Sequence, residues 1–231
     1  MTVRTRTLLL VVVVVLALGG AGGYGVWAFA RYQDESRAAP GVPVASKAEP
    51  GSEIIFRNTA SGQGRGMVAT VPAAAPQGPR MLTDQACDRV YAAGDRRICL
   101  RTKLGIENST EELVFTPDWQ QLRSRTLAGL PSRTRLSADG RLASSTVFVS
   151  GHAYSGGFST ATEISATGGD SFGNLETFAV TVDGVTLTPQ ERNVWGVTFA
   201  RDGDTFYATI GSADRNWLVR GSLRARTLTA I

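Results

Sequence analysis

Arg135-Leu136-Ser137-Ala138-Asp139-Gly140-Arg141-Leu142-Ala143 reads as strand, tight turn, strand, and its recurrence decides the fold. Thr198-Phe199-Ala200-Arg201-Asp202-Gly203-Asp204-Thr205-Phe206-Tyr207 repeats it, with Gly203 in the place of Gly140. Arg89-Val90-Tyr91-Ala92-Ala93-Gly94-Asp95-Arg96-Arg97-Ile98-Cys99 is a blunter copy centred on Gly94. Asp-Gly pairs supply the positive φ angles that tight hairpins need. The matched glycines lie 46 and 63 residues apart, the longer gap holding Gly/Ser-rich stretches around 150–157 and 168–174. A second hairpin follows each copy: Leu113-Val114-Phe115 with residues 122–127, Val180-Thr181-Val182 turning at Asp183-Gly184, and Trp217-Leu218-Val219 with residues 223–228. Two hairpins per unit make a four-stranded antiparallel sheet, and units of about 40–50 residues have the size of propeller blades.

Outward from these turns, β-branched and aromatic runs separated by Gly, Asp and Pro continue the pattern. Glu53-Ile54-Ile55-Phe56-Arg57, Met67-Val68-Ala69-Thr70-Val71 and Ser145-Thr146-Val147-Phe148-Val149 are examples, and helical periodicity is nearly lost beyond residue 53. The region is therefore expected to be all-β. Four units are countable, at about 53–84, 87–128, 134–190 and 194–229.

The turn Ser137-Ala138-Asp139-Gly140-Arg141-Leu142 resembles the S-P-D-G-[KR]-x-[IVL] turn of TolB-like β-propeller repeats, departing from it at Ala138, where those repeats favour proline. The stretch from about 51 to 231 looks like an exported TolB-like propeller. That resemblance implies six blades, so the four found here make an incomplete ring. A chain truncated at its C-terminus is the first explanation and an unusually small ring the second. It also implies an interaction scaffold whose binding is spread over the loops of one ring face.

Ahead of the β region, Thr7 to Ala30 carries no charge, and these 24 residues span about 36 Å as a helix, against a bilayer core of about 30 Å. A cleaved signal peptide explains the aliphatic half, Leu8–Leu18. An uncleaved anchor also explains Gly25–Ala30 and the aromatic belt of Tyr24, Trp27 and Tyr32. Arg4 and Arg6 lie ahead of the run without an acid, whereas Arg31 and Arg37 mix with Asp34 and Glu35 behind it. The positive-inside rule keeps the N-terminus cytoplasmic and exports the rest. The expected organisation is a cytoplasmic tip and single-pass anchor (1–31), a Pro-rich linker that spaces the domain from lipid (32–52), and the partial propeller (53–231). A formal charge of +4, with arginines scattered rather than clustered, does not resemble a nucleic-acid footprint.

The chemistry-bearing residues are few. Cys87 and Cys99 fall six residues either side of Ala93, directly opposite in a hairpin centred there, so a disulfide is expected in an oxidising compartment, two buried thiols being the other reading. With one His and two Cys no metal site is expected, and no cofactor-binding or catalytic residue is assigned. Gly169-Asp170-Ser171-Phe172-Gly173 matches G-x-S-x-G, but its flanks are loop and strand, and the sole histidine precedes it. Gly62-Gln63-Gly64-Arg65-Gly66 reads as a flexible hairpin tip. The binding-loop candidates are His152 and Tyr154 in the 150–157 loop, and Arg192, Asn193 and Trp195 where a second loop would reach the ring face. The functional expectation is a non-enzymatic scaffold for a protein or cell-wall-associated partner, the rival being a propeller-type hydrolase or lyase.

Overall fold

The Asp-Gly turns are built alike. Ser137 N–H donates to Leu142 O and Arg141 N–H to the Asp139 carboxylate; 63 residues on, Ala200 N–H donates to Thr205 O and Asp204 N–H to the Asp202 carboxylate. Gly140 and Gly203 sit at φ +73° and +70°, which only glycine adopts without strain. Hydrogen bonds from Thr205 and Asp204 hold the Asp202 carboxyl down to about 2, and those from Ser137 and Arg141 lower that of Asp139. Gly94, at φ +57°, packs its turn against Asp139 and Gly140, so the first turns of adjacent sheets touch.

The computed structural model describes residues 3–46, 52–149, 159–187, 192–212 and 215–231. Among the described residues one α-helix, α1 (Val3–Arg37), precedes four sheets, three of them purely antiparallel and the fourth mixed by one parallel pair. The first holds β1 (Glu53–Arg57), β2 (Met67–Pro72) and β3 (Met81–Ala86). The second runs in order through β4 (Arg89–Ala93), β5 (Arg96–Lys103), β6 (Ser109–Phe115) and β7 (Gln121–Ala128). A third follows with β8 (Leu130–Leu136), β9 (Leu142–Val149), β10 (Ser159–Ala166) and β11 (Ser171–Asn174). Then come a short hairpin, β12 (Ala179–Val182) and β13 (Val185–Leu187), and the strands β14 (Arg192–Phe199), β15 (Thr205–Ser212), β16 (Arg215–Ser222) and β17 (Thr227–Ala230).

First strands stand beside first strands: β1 packs on β4, β4 on β8, and β8 on β14. The later strands of each sheet step outward from them. This is the propeller-like arrangement expected behind one apolar helix; the second and third sheets are four-stranded and antiparallel, the first has three strands, and the fourth is built on four antiparallel strands with a hairpin added. Strands in the middle of a sheet are covered on both faces, which is why Thr110–Phe115 of β6 and Leu142–Val147 of β9 are buried without a break. The largest core cluster lies around the fourth sheet, where Phe178 meets Phe206 edge-on with ring centroids 6.5 Å apart.

Three expectations need correction. The hairpin Val180–Val182 turns at Asp183-Gly184 as foreseen, but it does not complete the third sheet. β12 pairs in parallel with β17, so the hairpin extends the fourth sheet to six strands, and β10–β11 completes the third. Cys87 and Cys99 form a disulfide, but not as directly opposed residues. The β4–β5 turn is centred on Gly94-Asp95, Val90 faces Cys99, and Cys87 reaches it from just ahead of β4 with Cα atoms 5.5 Å apart.

The third concerns the stem. Helix α1 continues past the apolar run to Arg37, aided by the Arg31–Glu35 pair one turn apart, and none of its residues is buried. The segment after it is docked rather than free. Gly41 N–H donates to Ser61 O, Gln63 N–H to Ala38 O, and Ala45 N–H to Arg80 O, so residues 43–45 begin to line the outer edge of the first sheet. Gly62, in the turn read as a flexible tip, approaches so closely that a Cβ there would lie 2.2 Å from Ala39 O. Asn58 is buried beneath that turn and bonded to Gly64 O and the Arg80 guanidinium.

Candidate binding groove

The first strands carry an unusual side-chain set. Arg89 ends up on β4, Arg133 and Arg135 alternate along β8, and all three are exposed; β14 contributes Gly196 and Thr198. Together they border an open groove of about 700 Å³ that spans three sheets. Among the described residues none that lines it is a carboxylate. Arg89 is held by bonds to Ser132 O (2.5 Å) and Asp88 O (2.8 Å), and Arg135 lies over the Tyr91 ring at 4.7 Å. No ion pair engages Arg89, Arg133 or Arg135 among the described residues. Cations left unpaired at a concave surface focus positive potential into it. A second hollow of about 720 Å³ adjoins the first at Phe148, which lines both.

The seams between sheets hold the buried charges. Between the second and third, Glu112, fully buried, takes two bonds from Arg125 (2.6 and 2.9 Å) and a short one from Ser145. Arg125 also reaches Glu163 at 2.6 Å. Burial works against the Arg125 charge, but its bonds to Glu112 and Glu163 outweigh this and raise its pKa. Between the third and fourth sheets, Glu176 accepts from Thr160 Oγ1 and from the Thr162 and Val194 N–H groups.

The sequence-derived candidates divide. His152 and Tyr154 lie outside the described residues. Arg192, Asn193 and Trp195 are on β14 rather than on a loop, because their run pairs with residues 209–212. Asn193 is a seam residue, its Oδ1 accepting from Thr160 N–H at 2.7 Å. Trp195 lies against Gly211, where a Cβ would fall 2.7 Å from its ring. Arg192 has its Nε and Nη1 buried without a hydrogen-bond partner among the described residues, and burial lowers its pKa although Glu176 acts to raise it. Ser171, of the G-x-S-x-G match, donates to Glu163 at 3.1 Å and caps Gly173 N–H on a hairpin, so it is engaged in the β10–β11 turn. Sequence reasoning missed the groove arginines, although their spacing as Arg133-Thr134-Arg135 on a strand puts both on one face.

Burial raises the Glu176 carboxyl above its ordinary 4.5, its hydrogen bonds opposing the rise. A raised folded-state pKa favours the folded state most below the unfolded pKa, and that contribution is lost as pH rises through the folded value. Stability is therefore expected to decline as pH climbs from about 4.5, and Glu176→Gln should flatten the decline while lowering stability overall through its lost acceptor. Urea denaturation across a pH series checks both parts.

No protein-family model matches the chain, and no curated protein matches it. Among solved structures it is similar to hydrazine synthase of Kuenenia stuttgartiensis, with 12% identity over 67% of this chain and 46% of that one, at a TM-score of 0.46. It is also similar to the β-propeller domain of the Trilobed protease from Pyrococcus furiosus, with 10% identity over 61% of this chain and 40% of that one, at a TM-score of 0.39. The chain thus spans less than half the length of either, and these likenesses concern the fold alone.

Proposed function

We propose that this protein is a membrane-tethered, non-catalytic binding module of the TolB-like kind, with its β domain outside the cytoplasm and its groove turned to a protein or cell-envelope partner. The observation that carries this reading is the groove itself, bordered by exposed, ionically unpaired arginines of two adjacent sheets. Binding modules present such pre-formed concavities on a rigid scaffold. Support for the location comes from α1, which is long and apolar enough to cross a bilayer, from the charge asymmetry around it, and from a disulfide suited to an oxidising compartment.

A photo-crosslinking residue at Thr198, in the groove, tests the reading against one at Leu122, on the outer strand β7. In intact cells the Thr198 position is expected to give a discrete adduct that the Leu122 position does not. Absence of an adduct at Thr198, or the same adducts from both positions, contradicts it.

A further inference from the structure

We infer that the groove and the hollow beside it form one composite surface, which docks an extended acidic protein segment carrying a large apolar side chain. The inference rests on the binding-module reading and names the partner's chemistry. One end of the surface is cationic, with Arg89, Arg133 and Arg135 and no lining carboxylate. At the other end Ile106 is fully exposed, Leu130 is 42% exposed and Phe148 37%, and all three line the second hollow. The two ends join at Phe148.

Charge complementarity selects an anionic occupant, because arginine forks bind carboxylates or phosphates in bidentate fashion. The apolar end selects a peptide over a plain polyanion. Leu, Ile and Phe side chains at such exposure gain nothing from phosphate or sugar, whereas burying one apolar side chain is worth about 1.5–3 kcal/mol. β4 and β8 also end their own sheets, and extended chains lie along such edges, whereas on β14 the Val194 N–H and carbonyl are already held by Thr160, Glu176 and Thr162. Among the described residues Glu107 is the one acid lining the second hollow, and it does not line the groove that holds the arginines.

The test uses the full chain in lipid nanodiscs and a fluorescein-labelled Glu-rich peptide containing one Phe, followed by anisotropy. Comparison probes are the same peptide with Ser for Phe, its Lys-for-Glu counterpart, and inorganic polyphosphate. The Glu/Phe peptide is expected to bind, the Lys peptide not to. The pair Arg133→Glu and Arg135→Glu should weaken binding about tenfold, since each reversal replaces an attraction by a repulsion at an exposed site. Ile106→Ser, at an exposed turn where folding does not depend on it, should weaken the Phe peptide and leave the Ser peptide unchanged. Unaltered binding by the arginine variant overturns the inference, as does polyphosphate binding as tightly as the peptide with Ile106→Ser without effect. Crosslinking at Thr198 detects a partner of any chemistry, so a failure here with an adduct there removes the acidic-segment assignment alone.

Discussion

Arg125→Met is expected to destabilise the β domain by about 5 kcal/mol, at the upper end for breaking a buried ion pair. The reason is what remains. Glu112 has no exposed side-chain surface, and without the guanidinium Ser145 is the one hydrogen-bond partner left to its carboxylate among the described residues. The reverse removal should be milder. Glu112→Ala leaves Arg125 paired with Glu163, which is 30% exposed, so its cost should be about 3 kcal/mol. Replacing both partners together, as Glu112→Leu with Arg125→Met, removes the unpaired charge and should cost least of the three. Chemical denaturation of the three variants checks the ranking. Glu112 and Arg125 face each other across β6 and β7 of the second sheet, and Ser145 of β9 and Glu163 of β10 join them from the third, so the ranking reports on a cross-strand pair and on the seam it anchors.

Reduction of the Cys87–Cys99 disulfide should have the next largest effect. The bond closes a loop of 12 residues' separation, and constraining the unfolded chain over such a loop contributes about 3 kcal/mol. Both sulfurs are buried with Val68, Leu113 and Phe115, between the first and second sheets. The Cys87→Ala and Cys99→Ala pair, or wild type in reductant, should show a lowered denaturation midpoint, and the pair should be insensitive to reductant. An equal midpoint in oxidised and reduced wild type would remove the disulfide from the account.

How far the fold could be read depended on where backbone conformation and side-chain chemistry agree. The Asp139-Gly140 and Asp202-Gly203 turns were legible because a positive φ leaves a local mark in glycine. The apolar run of α1 was legible because 24 successive residues without a charge mark the sequence by composition alone. The assignment of β12–β13 was not, since a parallel pairing with β17, some 48 residues on, leaves no signature in the hairpin itself. Register around Cys99 failed by the placement of a single turn: moving its centre from Ala93 to Gly94-Asp95 changes every facing pair.

The seams were harder still. β9 reads Leu-Ala-Ser-Ser-Thr-Val-Phe-Val, which suggests a half-solvated strand, yet Ser145 meets Glu112 and Thr146 bonds the Thr162 hydroxyl at 3.0 Å. Buried hydroxyls satisfied by a facing strand, as Thr146 is, or by another sheet, as Ser145 is, cannot be told from exposed ones by composition. The same limit hid the groove. Arg89, Arg133 and Arg135 belong to two hairpins some 40 residues apart, and only the packing of β4 on β8 makes them neighbours.

That side-by-side order of first strands is the claim on which groove, partner and seams all depend. It is tested most directly by paired cysteines at Tyr91 and Arg135, and at Arg135 and Thr198, treated with a short bifunctional maleimide in the full-length protein. Both pairs should link within the monomer, while a control pair at Gln85 and Leu122, on the outer strands β3 and β7, should not. Linkage of the control pair, with the two groove pairs unreactive, would contradict it.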